Sequence, residues 1–232
     1  MSKRLASVFC SIAWMPIASL ALLASCSSLK GDQSGGRYTA PGGLFSLPVP
    51  ALSMGAAVQD KSSTNPQTRL VAGSVTFHDD FGQVRSIQYE QIALELGKKL
   101  SEPASATGAL RGYMSDVSLA EIQQWSPQAR IVHEEPVTLS DGVPAWFAVL
   151  EIPQGSPMME TSAEHPKGRR LDSTRGFFVL CHGSLFLTLS AANDHVFALA
   201  GGQSAAQGGV DQAGMDRLKD LLTTIYASMS FG

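Results

Sequence analysis

"RGFFVLCHGSLFLTLSA", residues 175–191, sets two apolar runs on either side of His182-Gly183-Ser184. A glycine between runs of Phe, Val and Leu reads as a hairpin, with strands over 177–181 and 185–189. Neighbouring residues of a strand face opposite ways. Here both parities are almost wholly apolar, so both faces need cover and the pair belongs in the middle of a sheet.

Working outward, "VTLSDGVPAWFAVLE" (residues 137–151) gives a second hairpin, with strands over 131–139 and 143–152 around Asp141-Gly142. Asp-Gly between alternating apolar residues is a strong short-range hairpin signal. A third pair, residues 71–78 and 84–89, turns at Asp79-Asp80-Phe81-Gly82. Its first strand carries Val71, Gly73, Val75 and Phe77 on one face, with Ala72, Ser74, Thr76 and His78 on the other. "GGLFSLPVP" (residues 42–50) reads as a short edge strand that Pro48 ends.

Between these pairs the period changes. Ile92, Leu96 and Leu100 lie four apart, predicting a helix over 91–100. Ser118-Leu119-Ala120-Glu121 has the form of a capping box, predicting a second helix that starts there. Residues 211–229 carry Met215, Leu218, Leu222, Ile225 and Met229 on one stripe, predicting a closing helix. Tight-turned strands with helices inserted and appended give an α+β class: an antiparallel β-sheet with helices packed on it. With 232 residues, 44% hydrophobic and 16% charged, the chain can bury one good core.

The first residues are of another kind. Lys3 and Arg4 precede an apolar run over 8–23 that Pro16 interrupts, the layout of a secretory signal rather than a membrane span. Leu23-Ala24-Ser25-Cys26 at its end resembles the lipobox of bacterial lipoproteins. The resemblance implies a signal peptide over 1–25, lipidation of Cys26 with palmitate-type acyl chains, and attachment to a bilayer through them. Ser27 follows, where an aspartate in this family favours inner-membrane retention. The implied destination is therefore the outer membrane, facing the periplasm, ahead of the inner membrane. Removing 1–25 takes two of the 17 basic residues and none of the 20 acidic ones, so the net charge moves from −3 to −5. A nucleic-acid partner gets no support. Residues 26–37, polar and glycine-bearing, read as a flexible tether, and 38–232 as one α+β domain.

A further resemblance covers most of the mature chain in its order of elements. "GGLFSLPVP", "VTLSDGVPAWFAVLE", "RGFFVLCHGSLFLTLSA" and a closing helix ending "SMSF" resemble the PsbP-like α/β sandwich. That group is named for photosystem II extrinsic subunits and includes bacterial lipoproteins. The resemblance implies a binding or assembly role and assigns no functional residue.

Residues that could carry chemistry are few. His78 and Asp80 would share a face if their strand continued, and imidazole with carboxylate suits zinc or manganese. The plainer reading is a strand end whose aspartates satisfy loop amides. Cys181 and His182 are neighbours on a strand and point apart, which leaves Cys181 as core and His182 as a solvated turn residue. Glu134 and Glu135 face opposite ways for the same reason. No motif for a hydrolase elbow, phosphate loop or zinc helix occurs, and no cofactor is implied. The polar stretch 153–176 is too long for a mere connector. It holds Met158, Met159, Lys167, Arg169 and Arg170, and reads as a partner-binding flap. The expected function is a non-catalytic binding or assembly module of the cell envelope with an envelope protein as partner. The alternatives are a metal-assisted hydrolase using His78 and Asp80, and a small-molecule carrier.

Overall fold

The computed structural model describes residues 30–52, 55–79, 83–161, 165–193 and 210–232. Three short strands come first, β1 (Asp32–Ser34), β2 (Arg37–Thr39) and β3 (Phe45–Pro48). Three longer ones follow, β4 (Ala57–Thr64), β5 (Val71–His78) and β6 (Gln83–Gln91). Then come helices α1 (Leu94–Ser101) and α2 (Pro103–Tyr113), a π turn over Met114–Ser118, and α3 (Leu119–Gln123). Strands β7 (Arg130–Thr138) and β8 (Pro144–Ile152) lead to a small arm, β9 (Met159–Glu160) and β10 (Arg169–Arg170). Strands β11 (Ser173–His182) and β12 (Leu185–Asn193), helix α4 (Gln212–Ala227) and strand β13 (Ser230–Phe231) complete the described chain.

The apolar double run is central, as its two-sided pattern requires. Seven antiparallel strands lie in the order β4-β5-β6-β12-β11-β8-β7. One face carries Phe147, Val149, Phe178, Leu180, Leu187 and Leu189, packed under α4 through Leu218, Leu222 and Ile225. Gly176 is what lets that helix approach: a Cβ there would stand 3.0 Å from Leu218 Cβ. The opposite face carries Trp146, Ala148, Leu150, Phe177, Val179 and Cys181 under α1–α3, through Leu100, Leu110 and Met114. Helix α1 is seated on the β11–β12 turn, where a Cβ on Gly97 would run into the Gly183 carbonyl at 2.0 Å. The fold class is α+β, as expected, and all three predicted hairpins pair antiparallel.

Several expectations need correction. Strand β3 is no edge: it lies between β2 and β13 in a second sheet of order β1-β2-β3-β13. The closing strand supplies the missing neighbour, and its two residues gave no periodic signal of their own. The tether expected over 26–37 meets structure earlier, because Asp32–Ser34 pairs with Arg37–Thr39. Gly35 and Gly36 both have positive φ, 57° and 75°, so the pair serves as a two-residue hairpin turn rather than as slack. Strand β4 was not expected, since after Ala57 and Val58 its residues are all polar. The helix predicted over 91–100 starts later, at Leu94, because β6 runs on to Gln91.

Ser118 is not an N-cap. Its backbone is helical and its side chain caps nothing, because the helix already runs through from Pro103. Proline at the first helical position, followed by an alanine-rich turn, is the start signal of that helix. The closing helix is capped as its sequence suggests, with Asp211 Oδ1 accepting from the Gly214 amide at 2.8 Å.

Candidate functional site

Helices α1–α3 cover only part of their sheet face. They lie over β8, β11 and the start of β12, and no helix among the described residues covers the same face of β4, β5 and β6. The register sets polar side chains across that open half in rows. Lys61 pairs with Ser74, Ser74 with Gln88, and Gln88 with Thr188. The next row runs Gln59, Thr76, Ser86 and Ser190, with Thr76 Oγ1 and Ser86 Oγ sharing a hydrogen bond at 3.0 Å. On the other side of Ser74 the row is Ser63, Ala72, Glu90 and Phe186. Alternation makes this a floor of hydroxyls and amides, while Val75, Phe77, Ile87 and Tyr89 of the same strands point into the opposite core.

A wall rises beside the floor where α2 gives way to the π turn. Tyr113 stands at its foot, edge-on to Phe186 with centroids 4.6 Å apart, and buried Thr188 lines the groove with it. Glu121 on α3 continues the wall. Floor and wall bound an open, shallow groove of about 620 Å³. A π turn is an irregularity that recurs at functional sites, and this one shapes the wall.

The groove is acidic on its wall side. Partial loss of water raises the carboxyl pKa of both Glu90 and Glu121. Among the described residues neither carboxylate makes an ion pair. Burial first, then the negative charges of Glu121 and Glu90, push the Tyr113 phenol up to about 12. Lys61 lies at the far end of its row, on the edge strand, where a charged residue also discourages pairing with a second sheet.

The sequence-predicted residues are placed elsewhere or serve other ends. His78 ends β5 on the floor's face and contacts Gln59 Nε2 through its Nε2 at 3.0 Å. Asp79 accepts from the Gln83 amide at 3.0 Å, the loop-amide role expected for this turn. Asp80 lies outside the described residues, as do Cys26 and the signal peptide. Among the described residues no three His, Cys, Asp or Glu side chains converge on a metal position. No described helix is long and apolar enough to cross a membrane.

Cys181 is fully buried, which pushes its thiol up to about 11, and it is inert as a nucleophile at neutral pH. His182 is not a solvated turn residue. It stacks on Phe231 with centroids 3.8 Å apart, and Nδ1 lies 3.0 Å from the Tyr226 hydroxyl. Tyr226 in turn donates to Asp141 Oδ2 at 2.6 Å. This chain ties the β7–β8 turn, the β11–β12 turn, α4 and the closing strand together. Tandem glutamates Glu134 and Glu135 do face opposite ways. Glu134 meets Arg111 and Trp146 Nε1 under α2, and Glu135 accepts from Lys219 of α4 at 2.8 Å. Lys219 holds the Glu135 carboxyl below the usual range.

The stretch 153–176 is more structured than a flap. Ser156 is wholly buried, Arg175 donates to the Gly155 carbonyl, and Met158 and Leu171 join across the base of the β9–β10 arm. Met159 is 60% exposed, Lys167 is exposed and Arg169 and Arg170 form β10.

Sequence reasoning missed Lys61, Ser74, Gln88, Tyr113 and Glu121. The polar parity of β5 was legible, but a polar parity ordinarily means water. Nothing in the pattern says that a helix wall stands beside it.

No family model matches the sequence, and no curated protein matches it. Among solved structures the chain is similar to cyanobacterial PsbP (CyanoP) from Synechocystis sp. PCC 6803, the group whose element order the sequence resembles. The TM-score is 0.42 and the identity 13%, over 91% of this chain and 99% of that one. At that level the similarity says nothing of function.

Proposed function

We propose that the protein is a non-catalytic binding or assembly module of the cell envelope, held to the outer membrane on its periplasmic side by acylated Cys26. Its binding surface is the polar groove between β4–β6 and the Tyr113–Glu121 wall. The observation that carries this reading is the open half of the sheet face, lined by hydroxyl and amide groups, with Glu90 on its floor and Glu121 on its wall making no ion pair among the described residues. A carboxylate that loses water without gaining a cation lowers stability, and such costs concentrate where a protein binds something. The lipobox supplies the anchor, and lipidation makes attachment stable when several acyl chains insert together. The β9–β10 arm, with exposed Met159 beside Lys167, Arg169 and Arg170, is a second contact surface for an envelope protein.

The experiment is site-specific photo-crosslinking in living cells, with the probe at Ser74 in the groove or at Met159 on the arm. A discrete adduct from Ser74 is expected, in the membrane fraction, and it should disperse to the soluble fraction in a Cys26→Ser variant. Absence of any groove adduct, with a discrete adduct from Met159, would move the binding surface to the arm. A Cys26→Ser chain that stays with the membrane would overturn the lipid anchor.

A further inference from the structure

Resting on that reading of the groove, we infer that its ligand is an amino sugar: a hydroxyl-rich saccharide that carries a free ammonium group. Three features converge on this class. The floor of the groove carries Ser63, Ser74, Gln88 and Thr188, each able both to donate and to accept. Such a surface has no fixed polarity and suits a ligand whose own groups are hydroxyls, which do the same. Second, the aromatic ring of Tyr113 on the wall stands between two carboxylates, Glu121 of the wall and Glu90 of the floor. The ring gives apolar contact area of the kind a sugar's C–H face covers, and the carboxylates call for a cation. Third, both carboxylates are exposed and neither makes an ion pair among the described residues, Lys61 standing at the far side of the same groove, so both are open to a ligand ammonium.

Other ligand classes fit less well. An extended peptide recognised by strand addition needs a free sheet edge, but this floor is a sheet face whose backbone groups are already committed to the ladder. An acidic ligand would face Glu90 and Glu121 directly. An apolar one would strip water from a row of hydroxyls and leave them unbonded. The row from Lys61 to Thr188 crosses four strands, about 14 Å at the usual strand spacing, so more than one sugar ring has room to lie across it.

The test is calorimetric titration of the full chain, purified in detergent, with three probes at pH 7. These are a β-1,4-linked glucosamine tetramer, its fully N-acetylated counterpart, and spermine. The glucosamine tetramer should bind, and the other two should bind at least tenfold more weakly, since one lacks the charge and the other the hydroxyls. A Glu90→Gln, Glu121→Gln chain should lose at least tenfold for the glucosamine tetramer. Equal binding of the N-acetylated tetramer would overturn the role of the carboxylates, and equal binding of spermine would overturn the role of the floor. No binding of any probe would overturn the ligand class, while a groove adduct in cells would still stand as evidence for the binding surface. Undiminished binding by the double variant would place the sugar outside the groove.

Discussion

One sheet face of this protein is divided in two. Over β8 and β11, side chains such as Ala148, Leu150, Phe177 and Val179 are sealed beneath α1–α3. Over β4, β5 and β6, side chains on the same face are Lys61, Ser74, Thr76, Gln88 and Glu90, with no helix of the described residues above them. From β8 across to β4 the ladder runs without a register shift, so the difference is one of side-chain chemistry. Helices settle where apolar area is to be buried, which contributes roughly 25 cal/mol per Å². They stop where a hydroxyl floor offers no such gain. The boundary, marked by Phe186 on one row and Thr188 on the next, is where the groove begins. The groove is a consequence of how far the helices' apolar reach extends.

The widest contrast is between the sheet's sealed centre and its open half. Phe178 is fully buried, edge-on to Phe147 at 5.5 Å. Phe178→Ala should cost about 3–5 kcal/mol, enough to unfold a large share of the chain, as read by urea denaturation. Ser74→Ala in the open half should stay within about 0.5 kcal/mol of the parent. A comparable loss at both positions would mean that the open half is packed after all, and that the groove is not a free surface.

A middle effect is expected at the junction of the turns. Tyr226→Phe removes the proton donated to Asp141 and the oxygen that faces His182 Nδ1, while keeping the ring among Leu222, Ile225 and Phe231. The loss should be about 1–2 kcal/mol at pH 7, because Asp141 and His182 each lose a partner. Burial, with Asp141 adding to it, raises the Tyr226 phenol pKa. A group bound more tightly to its proton when folded stabilises fully below its unfolded pKa of about 10, and that stability fades as pH rises beyond it. The gap between parent and variant should therefore hold from pH 6 to 9 and narrow above 10. A gap that did not change with alkali would mean that the phenol's proton is not held by Asp141.

The comparison of the two halves also explains what the sequence made legible. Two-sided apolar strands at 177–181 and 185–189 can have only one position in a sheet, so their central place followed from their residues. The Asp-Gly turn and the stripe from Leu218 to Ile225 were equally plain, each being a local pattern with a local cause. What was hidden depended on non-local pairing. Strand β3 gained its second neighbour from two residues at the far end of the chain, Ser230 and Phe231. His182 looked like a turn residue until Phe231 and Tyr226 arrived from that same end. Ser118 had every mark of a cap except an end to cap, because whether the helix begins there depends on the residues before it. The groove was the least legible feature, since Ser74 beside Ala72 and Thr76 spells a solvent face whether or not Tyr113 and Glu121 rise beside it.

The smallest effect has the opposite sign and tests the groove directly. Desolvation raises the Glu90 carboxyl pKa, so the folded protein binds that proton more tightly than the unfolded chain does. Stability from this source is fully present below the unfolded value, near 4.3, and is lost as pH rises through the folded one. At pH 7 the ionised carboxylate is therefore a small cost, softened by the water that still reaches it. Glu90→Gln keeps the shape and removes the charge, so the variant should be more stable than the parent by a few tenths of a kcal/mol at pH 7. The advantage should vanish below pH 4, where the parent carboxyl is protonated too. Matched denaturation series at pH 7 and pH 3.5 measure both. A variant that gains stability while losing its ligand would place Glu90 where binding is favoured at the expense of folding. A variant less stable at pH 7 would instead mean that the carboxylate has a cationic partner within the fold, and that the wall's charge is structural.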